Sequence, residues 1–132
     1  MRRVILTFSL AFTVSAAQAL QPLHENPTVV NGFYTIGLAD EIRKNCDSID
    51  ARMVRAVSYL RALHRYAKDL GYSDAEIEEL TDNSQEKEKL RAKIRVDLAA
   101  RGASPKTPEG YCTVGHDEIA RGSAAGRLLK VN

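Results

Sequence analysis

Apolar residues along the chain recur at intervals of three and four. Val29, Val30, Phe33, Ile36, Ala39 and Ile42 keep this spacing and Cys46 extends it, which predicts a first helix over 28–45. Gly32 and Gly37 weaken that helix, because glycine loses more backbone freedom than other residues. The clearest series follows: Ile49, Met53, Ala56, Val57, Leu60, Leu63, Ala67 and Leu70, with Asp47 or Ser48 as cap and Gly71 as a left-handed stop. The opposite side carries Arg52, Arg55, Arg61, Arg65 and Lys68. Its apolar stripe predicts that this is the core helix.

Ser73-Asp74-Ala75-Glu76 has the form of a capping box, so another helix should start there and bury Ile77 and Leu80. Asp82-Asn83-Ser84 breaks or restarts it, with Asn83 or Ser84 as cap. The stretch 85–101 is charged on most sides but keeps Leu90, Ile94 and Leu98 one turn apart, which predicts a solvated helix lying on the bundle by a narrow stripe. Gly102 ends it, and 103–107 reads as an internal linker. Thr107-Pro108-Glu109 then opens a helix that carries Cys112 in its first turn and stops at Gly122. Ser123 is placed to cap a last short helix with Leu128 and Leu129 facing inward. No strand-like alternation or hairpin signal is found. The expected fold class is all-α, a small bundle of about four to six helices.

The N-terminus has a different pattern. Met1-Arg2-Arg3 is followed by an uncharged, mostly apolar run over 4–14, and then by the small residues Ala17 and Ala19 around Gln18. That order is the order of a secretory signal, with cleavage expected between Ala19 and Leu20. The run is shorter than the roughly 20 residues that cross a bilayer, so an uncleaved anchor is the weaker reading. The expected organisation is a signal peptide over 1–19, an irregular proline-containing arm over 20–27 and a helical domain over 28–132, located in the periplasm. Removing Arg2 and Arg3 with the leader leaves 17 Lys+Arg against 17 Asp+Glu, a mature chain without formal net charge.

Export decides how the cysteines are read. Cys46 and Cys112 are the two cysteines of the chain, and an oxidising compartment should join them. On the loop-entropy argument such a bridge stabilises by about 4 kcal/mol, a large share of what a small domain has. Catalytic dithiols usually lie two residues apart and zinc sites need four close ligands, so neither pattern is present.

Candidate chemistry is sparse. His24, His64 and His116 form no pair at helical spacing with each other, and His116 and Glu118 do not share a helical face. No metal or cofactor is expected. Serines are available, but no strained Gly-x-Ser-x-Gly elbow holds one. Asp47, Asp50 and the carboxylates Glu76, Glu78 and Glu79 fall where helix caps and first turns favour negative charge without catalysis. Tryptophan is absent and aromatic residues make up 6%, which disfavours a sugar cleft. The chain is not expected to be an enzyme.

Arg52, Arg55, Arg61 and Arg65 form a candidate contact surface. Neutral mature charge and export argue against nucleic acid, despite a loose helix-turn-helix outline at Leu70-Gly71-Tyr72-Ser73. An acidic partner face or anionic lipid head groups are the alternatives.

Cys46-Asp47-Ser48-Ile49-Asp50-Ala51-Arg52, the segment from Leu70 to Ile77, Tyr111-Cys112-Thr113-Val114-Gly115 and Gly126-Arg127-Leu128-Leu129 together resemble an uncharacterised family of short exported alphaproteobacterial proteins, a domain of unknown function. Its members are often encoded among the genes for the respiratory NADH:quinone oxidoreductase. The resemblance implies an envelope protein linked to respiration and supplies no catalytic residue. The cysteine spacing is not that of an iron–sulfur subunit. The expected function is therefore protein contact, as an accessory or assembly factor of an envelope or respiratory complex or as a small inhibitor. A small-ligand-binding or thiol-redox role is the alternative.

Overall fold

Asn26 opens the first helix, its side-chain oxygen accepting the backbone N–H groups of Thr28 and Val29 at 3.1 Å each. Pro27 follows at the first helical position, where a missing N–H costs nothing. The computed structural model describes residues 19–132. Among these are five α-helices: α1 (Pro27–Asn45), α2 (Met53–Asp69), α3 (Asp74–Asp82), α4 (Ser84–Ala100) and α5 (Glu109–Arg121). A 3₁₀ turn precedes α1 at Leu23–Glu25 and another follows α5 at Gly126–Leu128. The all-helical expectation holds apart from one small sheet.

α1 is the central element and packs against α5, α4, α2 and the sheet. Leu38, Ala39 and Ile42 of α1 meet Ile94 and Leu98 of α4 and Tyr111 and Val114 of α5 in the main core. The two glycines that weaken α1 in the sequence are contact points. A methyl group on Gly32 would stand 2.6 Å from Leu63 Cδ2, and one on Gly37 would stand 2.6 Å from Ile94 Cδ1. Their propensity cost is offset by close approach of α2 and α4 to α1.

The sheet corrects the strand-free expectation. β1 (Ile49–Ala51) pairs antiparallel with β2 (Leu129–Val131) in the register Ile49↔Val131, Asp50↔Lys130 and Ala51↔Leu129. Strands of three residues are too short to show alternation, and their partners lie far apart in sequence. Asp47 and Ser48 therefore cap no helix, and α2 begins after Arg52. Leu129, expected in a terminal helix, is buried in β2.

α2 is also not the core helix. Ala67 is its one fully buried residue, and Met53, Val57 and Leu60 are 64%, 40% and 41% exposed. Periodicity identifies the apolar face of a helix and does not say what covers it. The C-terminal half of α2 is covered, because Leu63, Tyr66 and Ala67 join Leu23, Val29 and Tyr72 in a second cluster.

The segments read as an irregular arm and a linker are both packed against the helices. Leu23 is buried against this second cluster, and the Tyr72 hydroxyl donates to the carbonyl of Gln21, so the arm before α1 is anchored. The 103–107 linker is a tight turn closed by a Ser104↔Thr107 bridge, with Ala103 buried. Pro108 occupies the cap position of α5, and Thr107 makes no side-chain cap.

Candidate functional site

The uncovered half of α2 faces a groove. Met53, Ala56, Val57 and Leu60 form one wall, Leu90, Arg91 and Ile94 of α4 form the other, and Phe33, Ile36 and Gly37 of α1 form the floor. It encloses about 350 Å³. Arg43, Lys87 and Arg91 stand on the rim with Asp40. Asp40 is already engaged, 2.6 Å from Arg43 Nη2 and 2.5 Å from Lys44 Nζ. Burial alone would raise its carboxyl, but the hydrogen bonds and charges of Lys44 and Arg43 outweigh it and hold Asp40 below the usual carboxylate range. Lys87 and Arg91 are exposed and form no ion pair among the described residues.

A second hollow of about 280 Å³ adjoins the first, sharing Phe33, Lys87 and Leu90. It is lined further by Val29, Val30 and Leu80, with Lys89 and Lys93 at the edge. Lys89 is bound to Glu86 at 2.7 Å and Lys93 to Asp97 at 2.8 Å. The Tyr34 hydroxyl also donates to Asp97 at 2.8 Å; burial, then the bond to that carboxylate, push its pKa up to about 12.

The cysteines form the expected bridge. Cys46 and Cys112 are bonded with their Cα atoms 5.1 Å apart, joining the end of α1 to the first turn of α5. Cys46 is 1% exposed, and the Ser48 hydroxyl lies 3.2 Å from its sulfur. An attacking thiolate must reach a disulfide sulfur, so burial shields this half of the bond.

The four candidate arginines are not brought together as one surface, and none lines the groove. Arg52 Nε donates to the Leu129 carbonyl at 2.9 Å and Arg55 Nη1 to the Arg127 carbonyl at 3.4 Å. Both side chains thus reach the segment that carries β2. Arg61 and Arg65 stay in solvent beside Ser58 and His64. Of the histidines, His24 lines the second hollow, His64 lies 3.4 Å from Asp74, and His116 is exposed. Ala17 lies outside the described residues, as does most of the expected leader; Ala19 and Leu20 are described and exposed.

Glu118 is the buried charge of the molecule, among the described residues. Its Oε1 accepts from Arg101 Nη1 and Arg121 Nη2 at 2.6 Å each, and its Oε2 accepts from the Ser123 hydroxyl. Burial opposes ionisation, but Ser123 and the two guanidinium groups outweigh it and keep the carboxyl below its ordinary value. Every partner is a donor and no unsatisfied group faces outward, so this cluster is a brace between α4, α5 and the turn after α5.

Residues 21–130 match a Family of unknown function (DUF5333). The chain belongs to this family. The DUF5333 match takes in both cysteines, the Glu118 brace and every residue lining the groove. No curated protein and no solved structure matches the chain. Among the described residues no helix is long and apolar enough to cross a membrane, and no group of three or more His, Cys, Asp or Glu is placed to hold a metal ion.

Sequence reasoning missed the groove because it assigned the whole α2 stripe to the core. A signal was available: α2 and α4 both offer apolar stripes, while the 85–101 segment offers too narrow a one to cover its neighbour.

Proposed function

We propose that this DUF5333 protein is a periplasmic contact protein, an accessory or assembly factor of an envelope complex, whose docking face is the groove between α1, α2 and α4. One observation carries the reading: the most regular amphipathic helix of the chain leaves Met53, Val57 and Leu60 exposed around a shared apolar trough. Large apolar side chains grouped on a surface are costly for a free protein and are recovered by association. The intramolecular disulfide is compatible with an exported protein. The family resemblance directs the search for a partner toward the respiratory NADH:quinone oxidoreductase.

The test is a photo-crosslinking residue placed at Val57 in the native envelope, with the same residue at exposed Val96 of α4 as control. A discrete crosslinked product from position 57 and none from 96 is the expected result; identical patterns at the two positions overturn the reading. Protein recovered from the periplasmic fraction is expected to begin at Leu20. Uncleaved protein in the cytosol would refute the location.

The adjoining hollow favours a second reading, binding of a small amphiphile. Its apolar lining and Lys87, unpaired among the described residues, suit a short-chain carboxylate. Displacement of a fluorescent fatty acid, lost in Phe33→Asp but kept in Val57→Asp, is the result that would prefer it.

A further inference from the structure

We infer that the groove takes an amphipathic helix carrying two carboxylates one turn apart, which face Lys87 and Arg91. This rests on the contact reading above and specifies the chemistry of its partner. The trough is lined by apolar residues of α2 and α4, with residues of α1 beneath. An apolar trough between helices suits a further helix, whose residues at three- and four-residue spacing would fill it.

The rim sets the charge. Asp40 is neutralised by Arg43 and Lys44, and Glu86 by Lys89, so neither acid attracts an incoming cation. Lys87 and Arg91 remain without an acidic partner among the described residues. They lie four positions apart on α4 and therefore share one side of it, separated by one turn. Beside an apolar trough, two cations at that spacing complement Asp or Glu at the same spacing on the facing helix, and they disfavour a helix with lysines there. Arg91 also offers a planar fork suited to bidentate contact with a carboxylate.

The experiment is a phage-displayed library of amphipathic helical peptides, leucine fixed on the apolar side and two edge positions one turn apart randomised, selected on the oxidised protein. Asp and Glu are expected to be enriched at both positions, with selected peptides binding roughly tenfold more weakly once those acids become lysine. Selection on the Lys87→Glu, Arg91→Glu double variant should reverse the preference to Lys and Arg, and Val57→Arg should abolish binding. Rim variants lie in solvent and a circular dichroism spectrum checks that they fold. Enrichment without charge preference, or a preference unmoved by the double variant, overturns this inference while leaving the position-57 crosslink intact. Loss of that crosslink is what defeats the contact reading itself. Failure to enrich any peptide over the Val57→Arg variant, or recruitment of the protein to anionic phosphatidylglycerol vesicles in place of peptide, also overturns it.

Discussion

Arg52 donates its Nε to the carbonyl oxygen of Leu129, 77 positions later in the chain, at 2.9 Å. The backbone N–H of Arg52 also donates to the Leu128 carbonyl at 2.7 Å. One residue thus ties the start of α2 to the segment that forms β2. Arg52→Met is expected to free residues 129–131, with amide exchange there at least about tenfold faster, since a hydrogen bond to a charged group is worth about 1.5–3 kcal/mol. Protection in α1 and α5 should not change. Uniform loss of protection throughout would show that the contact supports the whole fold instead.

The disulfide closes a loop of 66 positions. Cys46→Ser, Cys112→Ser and the double variant are each expected to lose about 4 kcal/mol, because any one of them removes the same constraint on the unfolded chain. Urea unfolding of oxidised and reduced protein measures this. Equal midpoints would remove the bridge from the account of stability.

Glu118→Gln keeps the shape of the brace and removes its charge. At neutral pH the variant is expected to be less stable by about 2 kcal/mol, the scale of hydrogen bonds to a charged group. The folded carboxyl lies below its ordinary value of 4.5, so its contribution is complete above that pH and is lost as pH falls through the lower folded value. Wild type and variant should therefore converge in stability in acid. A gap that stays constant down to pH 3 would count against ionised Glu118 as the source.

Groove and core residues should respond differently to substitution. Val57→Gln is expected to change stability by less than about 1 kcal/mol, as at other exposed positions. Leu98→Ala, at a site 1% exposed, should cost about 2–5 kcal/mol. A large loss at Val57 would mean that its side chain belongs to the interior and is unavailable to a partner.

Much of the fold was legible where local chemistry decides it. Ser73 and Glu76 form the reciprocal capping box that their spacing predicts, and Asn83 caps α4 through Gln85 and Glu86. The helix stops at Gly71, Gly102 and Gly122 adopt positive φ. The disulfide was readable because two cysteines leave one pairing. What escaped is non-local. β1 exists because a segment 80 positions away lies beside it, and three residues carry too little pattern to announce that. The groove escaped for a related reason: the stripe on α2 is real, but whether a neighbour covers it depends on where α1 and α4 sit.

The pairing of β1 with β2 sets an order of assembly. Residues 49–51 precede 129–131 by about 80 positions, so β1 has no partner edge until the last residues of the chain are delivered. A chain cut short before residue 129 would lack both β2 and the carbonyl that Arg52 holds, leaving β1 as an unpaired edge open to other strands.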